Sequence, residues 1–265
     1  MSSVRTIPTK QSPCGGRQGG APRADESLDA FYRGRILVLQ KRHGYRFSLD
    51  APLLADFIRP RASDELLELG TGSGIIALLL GVRRFAHLTA IEIQPALAGL
   101  ARRNVRLNGL EGRISVVRAD LRRFRPDRKF DVVFSNPPYI PQSPGFLSAE
   151  PEKSIAKHEI KCDILTVMRA ASRLLKPDGR ACFVFPARRS EAFAHAAAAA
   201  GLSVRRRRFV HPRPGEPASL FLAECRFGRG PVRELPPLVL RDAAGNDTLE
   251  ARAIFEGSAR GPAGR

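Results

Sequence analysis

Four short segments of the sequence carry side chains that could bind a charged ligand or hold a reacting nitrogen. The first runs from Glu68 to Gly74 and reads ELGTGSG. Glycine at positions 70, 72 and 74 allows a tight turn and a close approach of the backbone to a ligand. The spacing is GxGxG rather than the GxGxxG of dinucleotide sites. A carboxylate beside such a turn can pair with an ammonium group, which predicts an amino-acid-like ligand; a helix-entry turn without a ligand would need the same glycines.

Two acidic residues form the second and third segments. Glu92 ends an apolar pattern 24 residues after Glu68, where an acid is the usual acceptor for ribose hydroxyls. Asp120 closes the next apolar pattern. A carboxylate there can accept a hydrogen bond from the exocyclic amino group of a purine, and Asp is nearly as typical of a simple turn. The two acids therefore favour a ligand that contains a nucleoside.

The fourth segment is Asn136-Pro137-Pro138-Tyr139. Two prolines fix the backbone and remove two N–H donors, which leaves the carbonyls free to accept hydrogen bonds. An amino group held between the Asn136 side-chain oxygen and the Pro137 carbonyl loses planarity. Its nitrogen lone pair can then be directed at an electrophile. Tyr139 offers a flat face that would stack on the ring carrying that amino group. The segment predicts a site that grips a planar amine or amide nitrogen.

Each of these segments follows a short apolar run, and helical patterns separate most of the runs. This alternation predicts an α/β fold with a doubly wound, seven-stranded, mostly parallel sheet, whose ligands bind at the carboxyl ends of the strands. The last two strands lack an intervening helix and are expected to form an antiparallel edge hairpin. The predicted strands are Asp64–Gly70, His87–Ile93, Arg113–Ala119, Phe130–Ser135, Arg180–Phe185, Ser203–Val210 and Ser219–Phe227.

Together the four segments resemble those of the class I S-adenosylmethionine-dependent methyltransferases that carry an NPPY motif, over roughly residues 35–230. Four flanking segments narrow the resemblance to the bacterial tRNA (adenine-N6)-methyltransferases that modify the adenosine beside the anticodon of a valine tRNA. These segments are YRFSLDAPLL at 45–54, AKHE at 156–159, LLKPDGR at 174–180 and VHPR at 210–213. The resemblance implies a Rossmann-like fold, S-adenosyl-L-methionine as the cofactor and tRNA as the partner.

The resemblance also implies roles for particular residues. Asn136, Pro137 and Tyr139 would form the catalytic site, and Tyr139 would also bind the substrate base. His158 and Arg213 are further candidates for substrate binding, although His158 could equally cap the helix that follows it. Cofactor binding is expected from Glu68, Gly70, Thr71, Gly72, Gly74, Glu92 and Asp120. The expected reaction is a direct in-line displacement in which the protein mainly positions the partners.

The net charge of +18 and the sequence pI of about 11.1 favour a nucleic-acid partner, although an Arg-rich composition spread over the surface would give the same charge. The main alternative is a protein glutamine methyltransferase acting on release factors, which also uses NPPY. That family carries a helical domain before its catalytic core, whereas only short sequence precedes Tyr45 here. Guanine-N2 methylation of rRNA is a third option, which Tyr139 fits less well than Phe would. The run Arg205–Arg208 could present one face to RNA phosphates or act as an edge-strand charge.

The remaining sequence predicts the organisation of the chain. Residues 1–27 are expected to form a disordered tail, 28–60 a helical and strand cap, 61–230 the methyltransferase domain, and 231–265 an extension with a flexible end. No cysteine pair or His/Cys/carboxylate cluster has metal-ligand spacing. Cys182 and Cys225 lie in apolar strand patterns and are expected in the core. Four scattered cysteines without a CxxC pair fit a reduced, cytosolic protein, and no apolar run reaches bilayer length. A cytoplasmic monomer without metal or membrane partner is expected.

Overall fold

A computed structural model of the protein describes residues 21–42, 49–137 and 163–258. In chain order its strands are β1 (Glu26–Phe31), β2 (Ile36–Lys41), β3 (Glu65–Leu69), β4 (His87–Glu92), β5 (Ile114–Arg118), β6 (Phe130–Ser135), β7 (Leu175–Pro186), β8 (Leu202–His211), β9 (Leu220–Phe227), β10 (Arg233–Glu234) and β11 (Leu238–Val239). Its helices are α1 (Asp50–Phe57), α2 (Ile75–Leu80), α3 (Pro95–Leu107), α4 (Ile164–Leu174), α5 (Ser190–Ala199) and α6 (Leu249–Phe255).

The main sheet has the strand order β8-β9-β7-β6-β3-β4-β5. Strands β3 to β7 pair in parallel, and β9 runs antiparallel to both β7 and β8. The doubly wound, mostly parallel sheet and the antiparallel pairing of the last two long strands are therefore confirmed. One detail differs from the expectation of a simple edge hairpin, because β9 is inserted between β7 and β8.

Strand β8 is also covered, although the sequence predicted it at the edge of the sheet. The two-residue strands β10 and β11 pair with it in parallel, which brings the described part of the sheet to nine strands. They belong to the segment after residue 230, and the burial of Leu238, Ala251 and Ile254 attaches that segment to the main core. This covering removes an open edge that could pair with another chain.

The segment Lys176–Gly179 lies inside strand β7, although the sequence predicted that the strand begins only at Arg180. The register between β6 and β7 jumps from Phe130 opposite Leu175 to Val132 opposite Arg180. The residues between form a bulge, since proline lacks an N–H donor and a Cβ at Gly179 would lie only 2.7 Å from the Leu175 Cδ1. The regular part of β7 then begins near Arg180, where the sequence predicted the strand.

Two apolar layers enclose the sheet. One face packs against helices α1, α2, α3 and α6, and the other against α4 and α5. The second layer includes an aromatic cluster in which the Phe193 ring meets Phe183 and Phe221 edge-on, with ring centroids 5.6 and 5.0 Å apart. Cys182 and Cys225 are both fully buried free thiols, which confirms the prediction that they are core residues.

An N-terminal hairpin of β1 and β2 lies against α3. Its first strand begins at Glu26, inside the segment predicted as a tail. The reason is a non-local contact: Glu26 is only 1% exposed, and its carboxylate accepts a 2.6 Å hydrogen bond from Arg103 on α3. At the other end of the hairpin, Arg33 pairs with Glu256 beyond α6. The hairpin therefore joins the beginning and end of the described chain.

The arginine run in β8 is engaged within the protein. Arg206 pairs with Glu224, Arg207 with Glu234 and Arg208 with Glu250, at N···O distances of 2.8, 2.5 and 2.8 Å. Burial by itself would raise the pKa of Glu224. The charge of Arg206 and the hydrogen bonds from Arg206 and Arg226 outweigh this effect and hold that pKa below its usual value. These contacts use three of the four arginines to fasten β8 to β9 and to the C-terminal segment, so the run is chiefly a structural feature.

Candidate active site

The candidate residues that the structure describes gather at one edge of the sheet, where the parallel strands end. In the register, Glu68 on β3 lies opposite Ala90 on β4 and Phe134 on β6. The chain leaves β3 toward β4 on one side, and β6 lies on the other. This is the point at which strand order reverses, and it is where ligands bind in open α/β sheets.

The glycine-rich loop connects β3 to α2 with three left-handed residues. Gly70, Gly72 and Gly74 have φ of +73°, +59° and +88°, and L side chains rarely adopt such values. A Cβ at Gly74 would also lie 3.3 Å from the Ala101 Cβ on α3, whereas one at Gly70 would have no neighbour within 4 Å. The loop is therefore tightly packed on one side and open on the other.

Glu92 fastens this loop to the end of β4. One carboxylate oxygen accepts a 2.9 Å hydrogen bond from the Gly72 N–H, and the other accepts one of 2.9 Å from the Gln94 N–H. The carbonyl of Ile91 accepts hydrogen bonds from the N–H groups of Gly70 and Thr71 at 3.0 and 2.9 Å. Glu92 is 5% exposed. The acid that the sequence assigns to ribose binding thus also shapes the loop.

Glu68 lies beneath the loop and is 1% exposed. Its carboxylate accepts a 2.6 Å hydrogen bond from the Thr71 hydroxyl. Burial raises the pKa of Glu68 to about 8, with the hydrogen bonds from Thr71 and from the Ala77 backbone offsetting part of that effect. A buried acid of this kind favours a cationic group nearby, because the cation restores the stability of the charged form.

Asp120 follows β5 and already has a cationic partner in the chain. The Arg122 guanidinium donates to both carboxylate oxygens, with distances of 2.6 to 2.9 Å, and this contact lowers the pKa of Asp120. The Asp120 side chain also accepts from the Arg122 N–H, and its carbonyl accepts from the N–H groups of Arg123 and Phe124. The structure therefore gives Asp120 the turn role that the sequence also allowed.

Asn136 and Pro137 follow directly after β6, at the same edge as the glycine loop. The Ser135 hydroxyl donates a 2.8 Å hydrogen bond to the Leu69 carbonyl, which joins the ends of β6 and β3. Asn136 is half-buried and Pro137 is buried. The catalytic and substrate candidates Tyr139 and His158 lie outside the described residues.

Arg213 lies in the loop between β8 and β9, with its guanidinium 3.9 Å from the Glu216 carboxylate. Strand β8 is parallel to β7, since both are antiparallel to β9, so the loop lies at the same edge as the other candidates. Three strand spacings separate β8 from β6, or about 14 Å. Arg213 therefore lies at the same edge of the sheet as the glycine loop but is separated from the end of β6 by two strands.

Sequence reasoning missed Asn104 on α3. It is fully buried, and its side-chain amide donates a 2.9 Å hydrogen bond to the Ser73 carbonyl in the glycine loop. One signal could have revealed it: Asn104 and Asn108 are four residues apart, which places two polar amides on one face of an amphipathic helix. In the ranges that the structure describes, no group of three or more His, Cys, Asp or Glu side chains could hold a metal ion.

The fold and this site define a class of protein. A class I S-adenosyl-L-methionine-dependent methyltransferase is expected to have this arrangement. Its features are the reversal of strand order at the carboxyl end of β3, the inserted antiparallel β9, the GxGxG loop and the acid at the end of β4. The residues present fit that cofactor, since a loop open on one side lies between the buried carboxylates Glu68 and Glu92. No helix in the described ranges is long and apolar enough to cross a membrane.

Comparison with known proteins leads to the family. The model of the methyltransferase small domain family matches residues 47–192. A tRNA1(Val) (adenine(37)-N6)-methyltransferase of Phocaeicola vulgatus is 33% identical over 193 residues, which are 71% of this chain and 80% of the relative. A protein of the same name from Bacteroides thetaiotaomicron is 32% identical over 76% of this chain and 85% of the relative. The chain belongs to the methyltransferase small domain family, and with these relatives to its tRNA (adenine-N6)-methyltransferase branch.

A solved structure supports the fold. A predicted O-methyltransferase from Agrobacterium tumefaciens matches with a TM-score of 0.62 at 24% identity, and the match covers 79% of this chain and 97% of that one. Membership of the methyltransferase small domain family, together with the glycine loop and the acid at the end of β4, makes S-adenosyl-L-methionine the methyl donor of this enzyme.

Proposed function

We propose that the enzyme transfers a methyl group from S-adenosyl-L-methionine to N6 of an adenosine in tRNA, and that adenosine 37 of tRNA1(Val) is its target. The observation that carries the proposal is the position of Asn136 and Pro137. They follow β6 directly beside the end of β3, where the glycine loop begins. The names of the relatives support the choice of base and RNA.

The cofactor contacts are assigned from the geometry of the loop. When bound, S-adenosyl-L-methionine supplies an electrophilic methyl group. We assign Gly70, Thr71, Gly72 and Gly74 to a close backbone approach, Glu92 to the ribose hydroxyls and Glu68 to the region of the ammonium group. Asp120 is assigned to the amino group of the cofactor's adenine. The Arg122 guanidinium contacts both carboxylate oxygens of Asp120, so the adenine would share the carboxylate with Arg122 or displace it.

The target base is held by the residues after β6. The Asn136 side-chain oxygen and the Pro137 carbonyl would accept hydrogen bonds from the N6 amino group, and Tyr139 would stack on the ring. Held in this way, the nitrogen lone pair faces the methyl donor. No strong base is required before attack, since the amino proton becomes acidic only as the new N–C bond forms. An adenosine in an RNA loop can be splayed out to reach such a pocket.

The RNA backbone is assigned to the carboxyl-end edge of the sheet on the side of β7, β9 and β8. Arg213 is exposed there, and Arg188, exposed just after β7, lies one strand spacing from β6. His158 is assigned to the mouth of the pocket. The net charge of +18 supports a phosphate-rich partner. We further propose that the enzyme works as a cytoplasmic monomer whose catalytic domain spans residues 61–230, with the hairpin cap before it and the extension after it.

The test is methyl transfer from labelled S-adenosyl-L-methionine to two substrates in parallel: tRNA that lacks the modification and recombinant release factor. Label recovered as N6-methyladenosine in tRNA is the expected result. Asn136→Ala should lower the rate at least 100-fold and leave cofactor binding within twofold, since Asn136 would contact the transferred group only through the base. Asn246→Ala, at an exposed loop position, serves as the matched control and should retain full activity.

Two results would contradict the proposal. Label in the release factor alone would establish the glutamine substrate instead. An Asn136→Ala enzyme with unchanged transfer to tRNA would remove Asn136 from the site.

A further inference from the structure

Two asparagines, Asn104 on α3 and Asn108 at its C-cap, bind the N-terminal hairpin in the way a neighbouring strand would. The Asn104 amide accepts from the Leu39 N–H at 2.7 Å and donates to the Leu39 carbonyl at 3.0 Å. The Asn108 amide accepts from the Leu37 N–H at 2.9 Å and donates to the Leu37 carbonyl at 2.7 Å. Because Leu37 and Leu39 are two apart on β2 and the asparagines are four apart on the helix, the two spacings match.

The two asparagines differ in one contact. The second N–H of Asn104 donates to the Ser73 carbonyl of the glycine loop at 2.9 Å. The corresponding group of Asn108 donates to the Asn104 carbonyl within its own helix, at 2.8 Å. Asn104 therefore links the hairpin to the glycine loop, whereas Asn108 links it only to α3.

The Ser73 carbonyl depends on this contact. Ser73 is 4% exposed and Asn104 is fully buried, so water has little access to the bond between them. Loss of the donor would leave a buried carbonyl unsatisfied, which destabilises the conformation that buries it. Ser73 precedes Gly74, the N-cap residue of α2, and Gly74 lies against Ala101, three residues before Asn104 on α3. One face of α3 thus supports the end of the loop.

We propose that Asn104 is a positioning residue for the cofactor. It holds the Ser73 carbonyl and so keeps the amide groups of the glycine loop in their binding geometry, and through Leu39 it makes the N-terminal hairpin contribute to cofactor affinity. The inference rests on the proposed assignment of the glycine loop to S-adenosyl-L-methionine.

The hairpin has further attachments, which makes the experiment practicable. Glu26 binds Arg103 near its start, and Arg33 binds Glu256 at its turn. Removing one asparagine therefore leaves the hairpin anchored at two other places.

The experiment compares the full-length enzyme with Asn104→Ala and Asn108→Ala. Isothermal titration gives the Kd for S-adenosyl-L-methionine, and thermal unfolding gives Tm. Both variants should lower Tm, because each loses its contacts with β2. Asn104→Ala should raise the Kd about tenfold, the effect of one buried hydrogen bond, while Asn108→Ala should stay within twofold of the wild type. Equal Kd values for all three proteins, or equal increases in both variants, would overturn the proposal.

Amide hydrogen exchange supplies a readout that needs no cofactor. Residues 70–76 should exchange faster in Asn104→Ala and at the wild-type rate in Asn108→Ala. If Asn104→Ala does not fold, Asn104→Ser takes its place, since the shorter side chain keeps a polar group but loses the double contact. A wild-type enzyme that binds no S-adenosyl-L-methionine would refute the proposed function, whereas unchanged loop exchange in the Asn104 variant would refute the positioning role alone.

Discussion

The two ends of the central sheet use acidic residues in different ways. At the amino end, acids pair with cations: Asp64 contacts Arg180 at 2.7 Å, Asp131 contacts Lys176 at 2.8 Å and Glu65 contacts Arg128 at 3.2 Å. At the carboxyl end, Glu68 accepts from the Thr71 hydroxyl and the Ala77 backbone, and Glu92 accepts from the Gly72 and Gln94 N–H groups.

This difference distinguishes acids that stabilise the fold from acids that are available to bind a ligand. An acid neutralised by an arginine of its own chain has little attraction left for a ligand, and its role is to hold elements together. An acid that faces amides and a hydroxyl keeps its capacity to interact with a cation or with ribose hydroxyls. Asp120 at the carboxyl end is intermediate, because Arg122 occupies it through an exposed contact that a ligand could displace.

The largest change in stability is expected from a substitution at the amino end of the sheet. Asp64→Ala should lower the free energy of unfolding by about 3 kcal/mol, because the side chains of Asp64 and Arg180 are only 5% and 11% exposed and removal of one partner leaves a buried charge. Cofactor affinity should stay within twofold of the wild type. Urea denaturation and isothermal titration measure the two quantities.

The control for that prediction is Glu65→Ala. Its partner Arg128 is 52% exposed, so the loss should be below about 1 kcal/mol. Equal destabilisation by the two variants would show that burial does not distinguish the ion pairs at this end.

A pH effect is expected from Glu68 at the carboxyl end. Its pKa of about 8 in the folded protein lies above the ordinary value of 4.5, so the folded state binds the proton more tightly than the unfolded state. The resulting stabilisation is complete below about pH 4.5 and is lost as the pH rises toward 8. Without cofactor, the wild type should lose about 2 kcal/mol between pH 6 and pH 8 relative to Glu68→Gln.

Urea denaturation of both proteins at several pH values measures this difference. Parallel stability curves for the wild type and Glu68→Gln would contradict a buried, protonated Glu68.

The smallest difference is expected between two left-handed glycines, Gly74 in the glycine loop and Gly109 just after α3. Gly74→Ala, at φ +88° and against Ala101, should destabilise the protein by about 2 kcal/mol and weaken cofactor binding several-fold. Gly109→Ala, at φ +64° in open space two residues after the end of α3, should cost about 1 kcal/mol and leave the cofactor Kd unchanged. Thermal unfolding and isothermal titration give both numbers, and a matching loss of affinity in Gly109→Ala would mean that the effect is not local to the loop.

Features that depend on neighbouring residues could be predicted from the sequence. Apolar runs and their stops placed the strands of the parallel sheet within a few residues, because periodicity and turn chemistry are local properties. The glycines at 70, 72 and 74 marked a loop whose left-handed angles the structure contains. Glu92 followed from the same reasoning, since a parallel sheet brings the carboxyl ends of adjacent strands together.

Contacts between residues far apart in the chain could not be predicted and are seen in the folded protein alone. The arginine run of β8 pairs with carboxylates on β9, on β10 and at the start of α6, and no local pattern specifies those partners. Asn104 reaches Leu39 and Ser73, which are 65 and 31 residues away. Side-chain hydrogen bonds and ion pairs depend on distances in space, and these are set when the whole chain packs. The sequence therefore located the glycine loop, and the fold determined what supports it.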